Sequence, residues 1–417
     1  MLWTVILACG QQGDQLQEDI VSEPSSPTTE YAYYSDIKPI LEQNCVRCHQ
    51  GGGLGVGDFT DPELVVSFSD AMLVAIDDGR MPPPASDPAC RDYEGSEQLF
   101  LDPADRDIIA DWVSGGSPLG DEADAVSAEP VETELLDPDL TLFMPSAYTP
   151  AYEDTENPGN EYRCFVLDPE LEETIYLTAM APIIDQPSIV HHEVLFSMPR
   201  SELAESKLSP SGYDCISGFE SAALDGIIAA WAPGMLPIHF PEGTGMALSP
   251  DDVLILQMHY YSGPDTIGLS DQSGYAFHTA SSVDKSIFMA PLGIYNFSIP
   301  ANEDSHTDGD SLTNSYIDLN IYGIFPHMHV LGSHFEAVVE REDGTETCLV
   351  DGDYDFNNQM TYQFVEPLVF EQNETLRYDC TWNNSSSNDA MEGEPQTTGY
   401  GERTNEEMCF FFTLFSL

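Results

Sequence analysis

The hydrophobic pattern of the chain changes near residue 140. Before it, apolar residues recur at helical spacing in three segments, one ending just before Cys45 and two over residues 61–78 and 103–113. After it, short runs rich in Val, Ile, Tyr and Phe alternate with Gly, Pro, Asn and Asp, which is typical of strands in β-sandwiches. The predicted strands cover residues 188–198, 253–261, 316–329, 335–341, 362–369, 375–382 and 408–417.

This pattern predicts a multidomain fold, with a small all-α domain followed by two all-β sandwich domains. We place these domains at residues 31–120, 141–290 and 291–417. The stretch 121–140 is rich in Glu, Asp, Ala and Pro and has no apolar period, so we expect an acidic linker there.

The charge of the chain limits its partners. Asp and Glu number 73 and Lys and Arg 12, which gives a net charge of −61. Such a surface repels nucleic acid and anionic lipid headgroups, so we expect neither as a partner. No apolar run reaches the roughly 18–20 residues that a membrane-spanning helix needs. A strongly hydrated acidic exterior is the simplest interpretation.

Residues 1–10 form a short apolar stretch that ends in Ala8, Cys9 and Gly10. This stretch resembles the cleavage box of bacterial lipoproteins, in which the cysteine becomes the lipidated N-terminus. The polar residues up to position 30 would then be a flexible tether. We therefore expect export to the bacterial cell envelope, in the periplasm, on the outer membrane or at the cell surface, with the lipid as the only membrane contact. The alternative is a disordered N-terminal tail.

A Cys-x-x-Cys-His motif follows the first predicted helix, at Cys45, Cys48 and His49. In this signature the two thiols attach a haem covalently and the imidazole binds its iron. Three prolines follow Met81, end a helix and hold the chain extended, so the Met81 thioether is the predicted second iron ligand, with Met72 as the alternative. A zinc half-site or a thiol redox pair is disfavoured because no second cysteine pair lies nearby.

Residues 31–120 as a whole resemble a small class I cytochrome c domain of the type fused to other bacterial exported enzymes. The resemblance implies haem c as a cofactor and one-electron transfer as the role of the domain.

Half of the ten histidines fall into three clusters. They are His191, His192, His259, His327 and His329. On a strand, His327 and His329 would project from one face, whereas the adjacent His191 and His192 can share a metal only at a bulge or a strand end. Imidazole suits copper and zinc, and a methionine thioether favours Cu(I), so these clusters with Met408 indicate copper redox chemistry. The isolated histidines are assigned to no metal: His239, His278, His306 and His334.

The order of the motifs is more specific than any one of them. His-His is followed by Gln-x-His-Tyr, then by His-x-His-x-Leu-Gly, and finally by Thr-x-x-Glu-Met-Cys. The residues concerned are His191, His192, Gln257, His259, Tyr260, His327, His329, Leu331, Gly332, Thr404, Glu407, Met408 and Cys409. From about residue 141 onwards, this order resembles the copper type II ascorbate-dependent monooxygenases, the family of peptidylglycine alpha-hydroxylating monooxygenase and dopamine beta-monooxygenase.

This resemblance implies two jelly-roll β-sandwich domains that face each other across a solvent-filled cleft. The implied electron-transfer copper is bound by His191, His192 and His259. The implied catalytic copper, which binds oxygen and substrate, is bound by His327, His329 and Met408. Ascorbate is the implied reductant, and O2 and a small molecule are the implied substrates.

The nine cysteines fit an oxidising compartment. The resemblance implies two disulfides, one around the His-His pair and one beside Met408. These disulfides are Cys164–Cys215 and Cys380–Cys409. Cys90 and Cys348 remain, either free or paired between domains.

Two departures from the family pattern bear on the substrate. Amidating members use an Arg just before the His-x-His pair to bind the substrate carboxylate, but Phe325 stands near that place here. Phe410 and Phe412 follow Met408 on the same face, where polar residues of those enzymes are lost. A peptidylglycine substrate is therefore disfavoured. With Gln257, these phenylalanines are candidates for an apolar substrate pocket, and the alternative is that they only fill a sandwich core.

We therefore expect an exported, haem c-containing dicopper monooxygenase that hydroxylates a C–H bond of a small molecule with O2. Its electrons would come from the fused cytochrome, from a separate electron-donor protein or from ascorbate. The alternative function is that of a copper-binding or electron-transfer lipoprotein without oxygenase activity.

Overall fold

A computed structural model describes residues 31–51, 53, 55–128, 133–154, 158–215, 226–263, 266–388, 390–391 and 393–417. Cys9 and the predicted tether lie outside these residues. Among the helices of the described part, none combines the length and the apolar character that crossing a membrane requires.

Three α-helices and a preceding π-helix form a small unit with its own core. The helices are the π-helix Tyr33–Ile37, α1 (Lys38–Asn44), α2 (Pro62–Asp77) and α3 (Pro103–Ser114). Asp61 and Asp102 cap α2 and α3 by accepting hydrogen bonds from N–H groups of the first turn, and a proline follows each cap. Trp112 and Ile109 are fully buried in the core of this unit. The three predicted helices are confirmed. Short 3-10 turns cover Ser96–Gln98, Glu122–Asp124, Arg200–Glu202 and Glu205–Lys207.

The rest of the described chain is built from β-strands, and each predicted strand is confirmed within a few residues. The strands are β1 (Leu140–Phe143), β2 (Asn160–Leu167), β3 (Ile175–Ile183), β4 (Val190–Pro199), β5 (Tyr213–Asp214), β6 (Ile227–Trp231), β7 (Ile238–His239), β8 (Thr244–Leu248), β9 (Asp252–Tyr261), β10 (Gly274–Ala280), β11 (Lys285–Gly293), β12 (Ser298–Ile299), β13 (Glu303–Thr313), β14 (Leu319–His327), β15 (Gly332–Glu340), β16 (Glu346–Asp353), β17 (Tyr362–Phe370), β18 (Thr375–Asn384), β19 (Thr398–Gly399) and β20 (Phe410–Ser416).

The largest sheet carries strands from both predicted β domains. Its order is β1-β10-β3-β8-β11-β20-β14-β17, with β7 paired to β3. Within it, β11 pairs with β8 in parallel and with β20 antiparallel. The predicted boundary between residues 290 and 291 therefore falls inside β11. This strand joins the first β half, residues 141–290, to the second β half, residues 291–417.

Two smaller sheets complete the sandwich layers. The first half contributes the order β5-β2-β9-β4-β6 and the second half the order β13-β18-β15-β16, while β12 and β19 form a separate pair. Buried and partly exposed residues alternate along β18, as expected for a strand with one face towards the core. One hydrophobic core extends through strands of both halves, from Cys164 in β2 to Phe415 in β20.

The segment between α2 and α3 leaves the helical unit and packs against the second β half. Tyr93 and Leu99 lie in the main hydrophobic core. The Tyr93 hydroxyl donates a hydrogen bond to the carbonyl oxygen of Leu349 at 2.9 Å, and Ser86 forms a β-bridge with Gly352. The segment between α2 and α3, residues 78–102, thus holds the helical unit against the β halves. We call this segment the strap.

Three disulfides are present in the described part of the chain. Cys164–Cys215 and Cys380–Cys409 are the two pairings that the family resemblance implied. Cys90 pairs with Cys348 across a sequence separation of 258 residues, which decides the alternative that the sequence left open. This third disulfide joins the strap to β16.

Replacing Cys90 and Cys348 together by serine should loosen the strap. A disulfide that closes a long loop typically stabilises the folded state by about 2–4 kcal/mol. We expect a lower thermal unfolding midpoint and faster limited proteolysis between α2 and α3. The matched control replaces Cys164 and Cys215 by serine, which should lower stability without exposing that segment. Equal proteolysis of the strap in both variants would contradict this role.

Candidate metal centre

The first histidine set converges where β4 and β9 pair. The register of this pair shifts between Val190 and His192, which is the bulge that adjacent ligands require, and His192 lies opposite His259. The Nδ1 atoms of His191 and His192 are 3.1 Å apart, and those of His192 and His259 are 3.3 Å apart. Metal–nitrogen bonds of about 2 Å give separations of this size. The predicted trio is therefore brought together.

The second nitrogen of two of these rings is oriented by an asparagine. His259 Nε2 lies 2.7 Å from Asn160 Oδ1, and His191 Nε2 lies 3.2 Å from Asn357 Oδ1. An amide oxygen only accepts, so each Nε2 carries the proton and each Nδ1 keeps its lone pair for a metal. Lone pairs that face each other at such short distances repel unless a cation lies between them. The trio therefore fits a bound metal ion.

The second histidine set lies where β14 ends. His327 Nδ1 donates to Gln359 Oε1 at 2.6 Å, and His329 Nδ1 donates to the carbonyl oxygen of Glu406 at 3.1 Å. This set consequently offers Nε2 atoms to a metal, whereas the first set offers Nδ1 atoms. The ring centroids of His327 and His329 are 5.2 Å apart, and both rings line one cavity with Met408. Two imidazoles and a thioether fit copper.

Burial keeps these imidazoles neutral. Desolvation holds the pKa of His192 and His259 well below the usual range. It lowers the pKa of His327 to about 4 and that of His329 to about 3. A metal can therefore bind at neutral pH without first displacing protons from these rings.

Glu407, the residue before Met408, fixes the backbone around His329 by hydrogen bonds. Its carboxylate accepts hydrogen bonds from the N–H of His329 at 3.0 Å, from the N–H of Leu331 at 2.7 Å and from the indole of Trp382 at 3.0 Å. Burial raises the pKa of Glu407 to about 8, against the effect of these donors. Sequence reasoning placed Glu407 in the motif before Met408 but did not find this role. Asn160, Asn357 and Gln359 were missed altogether.

The two histidine sets lie close together, nearer than two domains facing across a wide cleft would place them. The ring centroids of His192 and His327 are 6.2 Å apart. Phe356, from the second half, stacks on His191 at 4.8 Å, next to the Asn357 hydrogen bond. The shared sheet and this loop hold the two sets close together, while a cavity of about 790 Å³ still lies between the halves beside His191.

A small cavity of about 40 Å³ lies between the two sets. The predicted pocket residues Gln257, Phe325, Phe410 and Phe412 all line it, together with Trp231. The three phenylalanines are also buried in the main core. The three phenylalanines therefore line the cavity and fill the core at once, and their role in a substrate pocket stays a prediction.

Two acidic residues also line this apolar cavity. Glu193 is fully buried beside His192, and burial together with the nearby Asp271 raises its pKa well above the usual range. Its carboxyl group lies on the face of β4 opposite His192, where it interacts with Asp271 and with the Tyr275 hydroxyl. Burial also raises the pKa of Glu402, and one oxygen of its carboxyl group has no hydrogen-bond partner within the described residues. Of the two acidic residues, Glu402 is therefore the one whose carboxyl group a cation in the cavity could stabilise in its charged form.

The Cys-x-x-Cys-His motif lies at the end of α1, as predicted. His49 Nδ1 lies 3.0 Å from the carbonyl oxygen of Val56, and the ring stacks on Phe59 at 4.4 Å. The carbonyl fixes the proton on Nδ1 and leaves Nε2 as the free ligand atom. Cys45 and Cys48 are both free thiols. This donor set fits a covalently bound haem.

The two candidate methionines differ in their surroundings. Met72 is buried in the core of the helical unit, whereas Met81 follows α2 and is 38% exposed. A core position leaves the Met72 side chain little freedom to turn outwards, whereas the Met81 thioether is accessible; which of them would bind an iron stays a prediction.

Comparison with known proteins gives two family matches in chain order. Residues 149–266 match the N-terminal domain of copper type II ascorbate-dependent monooxygenases, and residues 287–416 match the C-terminal domain. Together the matches cover more than half of the chain.

Curated relatives agree with these matches. DBH-like monooxygenase protein 2 of Mus musculus is 26% identical over 60% of this chain and 42% of its own length. Dopamine beta-hydroxylase of Canis lupus familiaris is 25% identical over 56% and 39%. Tyramine beta-hydroxylase of Caenorhabditis briggsae is 24% identical over 66% and 48%. The chain thus spans about half the length of the curated relatives it matches, or less.

Among solved structures, the VP2 subviral particle of infectious bursal disease virus is 14% identical and covers 69% of this chain and 74% of its own, but its TM-score of 0.20 is too low to carry an argument. The two domain matches, in the order of the two histidine sets, show that the chain belongs to the copper type II ascorbate-dependent monooxygenase family.

Proposed function

We propose that this protein is an exported dicopper monooxygenase that hydroxylates a C–H bond of a small molecule, with a fused haem c as its electron donor. The observation that carries the proposal is the close approach of two unlike donor sets, because His192 of the first set lines one cavity with His327, His329 and Met408. Three Nδ1 atoms converge in the first set, and two Nε2 atoms and a thioether are available in the second. The three disulfides support export to an oxidising compartment.

The two ligand sets would have different roles. Copper bound there would store electrons and activate O2. His191, His192 and His259 would hold the ion that receives electrons, since an all-imidazole set supports both copper oxidation states. His327, His329 and Met408 would hold the ion that faces the substrate, since the thioether favours Cu(I). The surrounding phenylalanines exclude water from the space in which the C–H bond reacts.

The haem would be held by Cys45, Cys48 and His49, with Met81 as a further ligand of its iron. Such a haem supplies one electron at a time. The hydrogen bond from His49 to the Val56 carbonyl orients the imidazole and increases its basicity. Ascorbate or a separate electron-donor protein would reduce this haem or the copper directly.

The cavity wall suggests the chemical class of the substrate. Phe325, Phe410 and Phe412 offer an aromatic surface, and Glu402 offers a carboxyl oxygen that has no hydrogen-bond partner within the described residues. Relatives are named for dopamine and tyramine, which pair an aromatic ring with an amine. We infer a substrate of the same kind. Small-molecule pockets usually measure about 300–1,000 Å³, so entry into this cavity requires its side chains to move.

The alternative function is copper binding or electron transfer without oxygenation. Oxygen uptake with formation of a hydroxylated product separates the two. Copper-loaded protein with ascorbate should consume O2 in the presence of tyramine, dopamine or related aromatic amines. Copper binding without any O2 uptake over this panel would favour the alternative.

Replacing Met408 by leucine should distinguish the roles of the two copper sites. Leucine keeps the apolar volume and removes the sulfur, so copper should remain on the three-histidine set. Oxygen uptake should fall by more than the roughly 10–100-fold that is typical of changes outside the ligand shell. Copper content by elemental analysis and O2 consumption by electrode give the result. The control is Met289→Leu, a buried methionine of β11, and equal activity of the two variants would contradict the role of Met408.

Replacing Glu407 by glutamine should weaken the second site only. The amide places an N–H₂ group where an oxygen now accepts from backbone and indole N–H groups. Copper affinity of the second site should fall by about 10–100-fold, as measured by copper titration with electron paramagnetic resonance. Glu406→Gln is the matched control, because only the backbone carbonyl of Glu406 contacts His329. An unchanged second site in the Glu407 variant would refute this positioning role.

Replacing Glu402 by glutamine should weaken the binding of a cationic substrate. Loss of the carboxylate partner should raise KM for an aromatic amine by about tenfold, or ~1.4 kcal/mol, with a smaller change in kcat. A substrate analogue that lacks the amine provides the control and should show no such change. If KM rises equally for both compounds, the pairing of Glu402 with the amine is wrong.

A further inference from the structure

One loop of the second β half contacts both histidine sets. This loop, residues 355–361, lies between β16 and β17. Asn357 Oδ1 lies 3.2 Å from His191 Nε2 in the first set, and Gln359 Oε1 lies 2.6 Å from His327 Nδ1 in the second set. An amide oxygen only accepts hydrogen bonds, so each contact fixes which nitrogen of its ring carries the proton. The position of the 355–361 loop therefore determines the free nitrogen of both rings.

Asn358 lies between these two loop residues in the chain, but its side chain binds the strap. The amide Nδ2 donates a hydrogen bond to the carbonyl oxygen of Pro84 at 3.0 Å. Asn358 is only 7% exposed, so this hydrogen bond is largely shielded from water. Its backbone N–H donates to the carbonyl oxygen of Asp355 at 3.0 Å, within the same loop. The side chain of Asn358 thus joins the centre of the loop to the strap.

The strap is itself fixed beside this contact. Ser86 is fully buried, and its N–H donates to the Tyr362 hydroxyl at 3.0 Å. Its Oγ accepts from the N–H of Asp351 at 3.0 Å. Tyr362 begins β17 and Asp351 lies in β16, so the strap contacts both strands that flank the loop, and its disulfide adds a covalent link to β16. The carbonyl group that accepts from Asn358 is therefore held in place on both sides of the loop.

This support comes from outside the two matched domains. The family matches cover residues 149–266 and 287–416, whereas the strap spans residues 78–102. A buried amide that lost the Pro84 acceptor would be costly to keep in place. Turning Asn358 towards water would relieve that cost, and the same movement would carry its two neighbours away from the imidazoles.

We propose that Asn358 is a positioning residue, which holds the 355–361 loop against the strap so that one loop orients a ring of each histidine set. This inference rests on the proposed function, because it takes both sets as copper ligands. Asn357 and Gln359 touch the rings, whereas the Asn358 side chain binds the strap and acts on the rings through them. A change at Asn358 should alter both rings together, and a change at either neighbour should alter one.

Nitrogen-15 NMR of the imidazoles in the metal-free full chain tests the proposal. In the wild type at neutral pH, His191 should carry its proton on Nε2 and His327 on Nδ1. Asn358→Asp places a carboxylate oxygen against the Pro84 carbonyl oxygen and removes the donor. Both rings should then lose their single tautomer and show mixed signals. Asn358→Ala removes the donor without adding a charge and should cause the same change, so it provides the result if the aspartate variant does not fold.

The neighbouring residues and a distant asparagine provide the controls. Asn357→Ala should change only the His191 signals, and Gln359→Leu only those of His327. Asn314→Asp is the control for stability, because Asn314 is equally buried and donates from its Nδ2 to three backbone carbonyl groups. This control should lower the thermal unfolding midpoint and leave both rings unchanged. Mixed tautomers at both rings in the control would indicate a general loss of structure and would overturn the proposal.

Titration with Cu(II), followed by electron paramagnetic resonance, shows whether the positioning matters for metal binding. Asn358→Asp should lower the copper affinity of both sets by about tenfold, the lower end of what loss of a residue that orients a ligand typically causes. Asn314→Asp should bind copper as the wild type does. An unchanged affinity at both sets in the Asn358 variant would contradict the proposal.

The positioning role and the proposed function fail in different ways. If both rings keep single tautomers in the two Asn358 variants, the role of Asn358 is refuted, whatever the activity of the wild type. If only one ring changes, the orientation of both sets by one loop is refuted. If the variants behave as expected but the copper-loaded wild type consumes no O2 with ascorbate and aromatic amines, the proposed function is refuted, and Asn358 still positions the ligands of a copper-binding centre.

Discussion

The pairing of β14 with β20 is the constraint on which the second histidine set depends. Its register places His327 opposite Phe410 and Phe325 opposite Phe412, so Met408 comes just beyond the strand end that carries His327. The Cys380–Cys409 disulfide ties this point to β18. A slip of one residue would turn every side chain of β20 to the other face. The donor atoms and the aromatic cavity wall are therefore set by the same register.

The sheet shared by the two halves explains the properties of the first set. Because β11 joins β8 to β20, the halves cannot be far apart, and a loop of the second half supplies Asn357 to His191. The first set is thus completed by a residue from the other half. The same closeness removes water from the rings, and this desolvation accounts for their lowered pKa values. Proximity, burial and readiness to bind metal have one structural cause.

Features that depend on local periodicity could be predicted from the sequence. The helices and the strands follow from spacing within a few residues. The adjacent His191 and His192 required a bulge or a strand end, and the family resemblance implied two of the disulfides. The strap at Tyr93 could not be predicted, because its apolar residues have neither helical nor strand spacing. Asn160, Asn357 and Gln359 gave no signal either, since a single amide acquires its role only from the ring that tertiary structure brings to it. The distance between the two sets depends on the shared sheet, which strand patterns alone do not reveal.

The first histidine set borders two cavities of different character. On one side, a cavity of about 790 Å³ is lined by His191 together with polar residues such as Asn160, Asn357 and Asn405. On the other side, His192 borders the small cavity that Phe325, Phe410 and Phe412 line. A small polar molecule would be solvated in the first space and disfavoured in the second, whose wall is aromatic. The imidazoles of one set therefore meet a polar space and an apolar space on opposite sides.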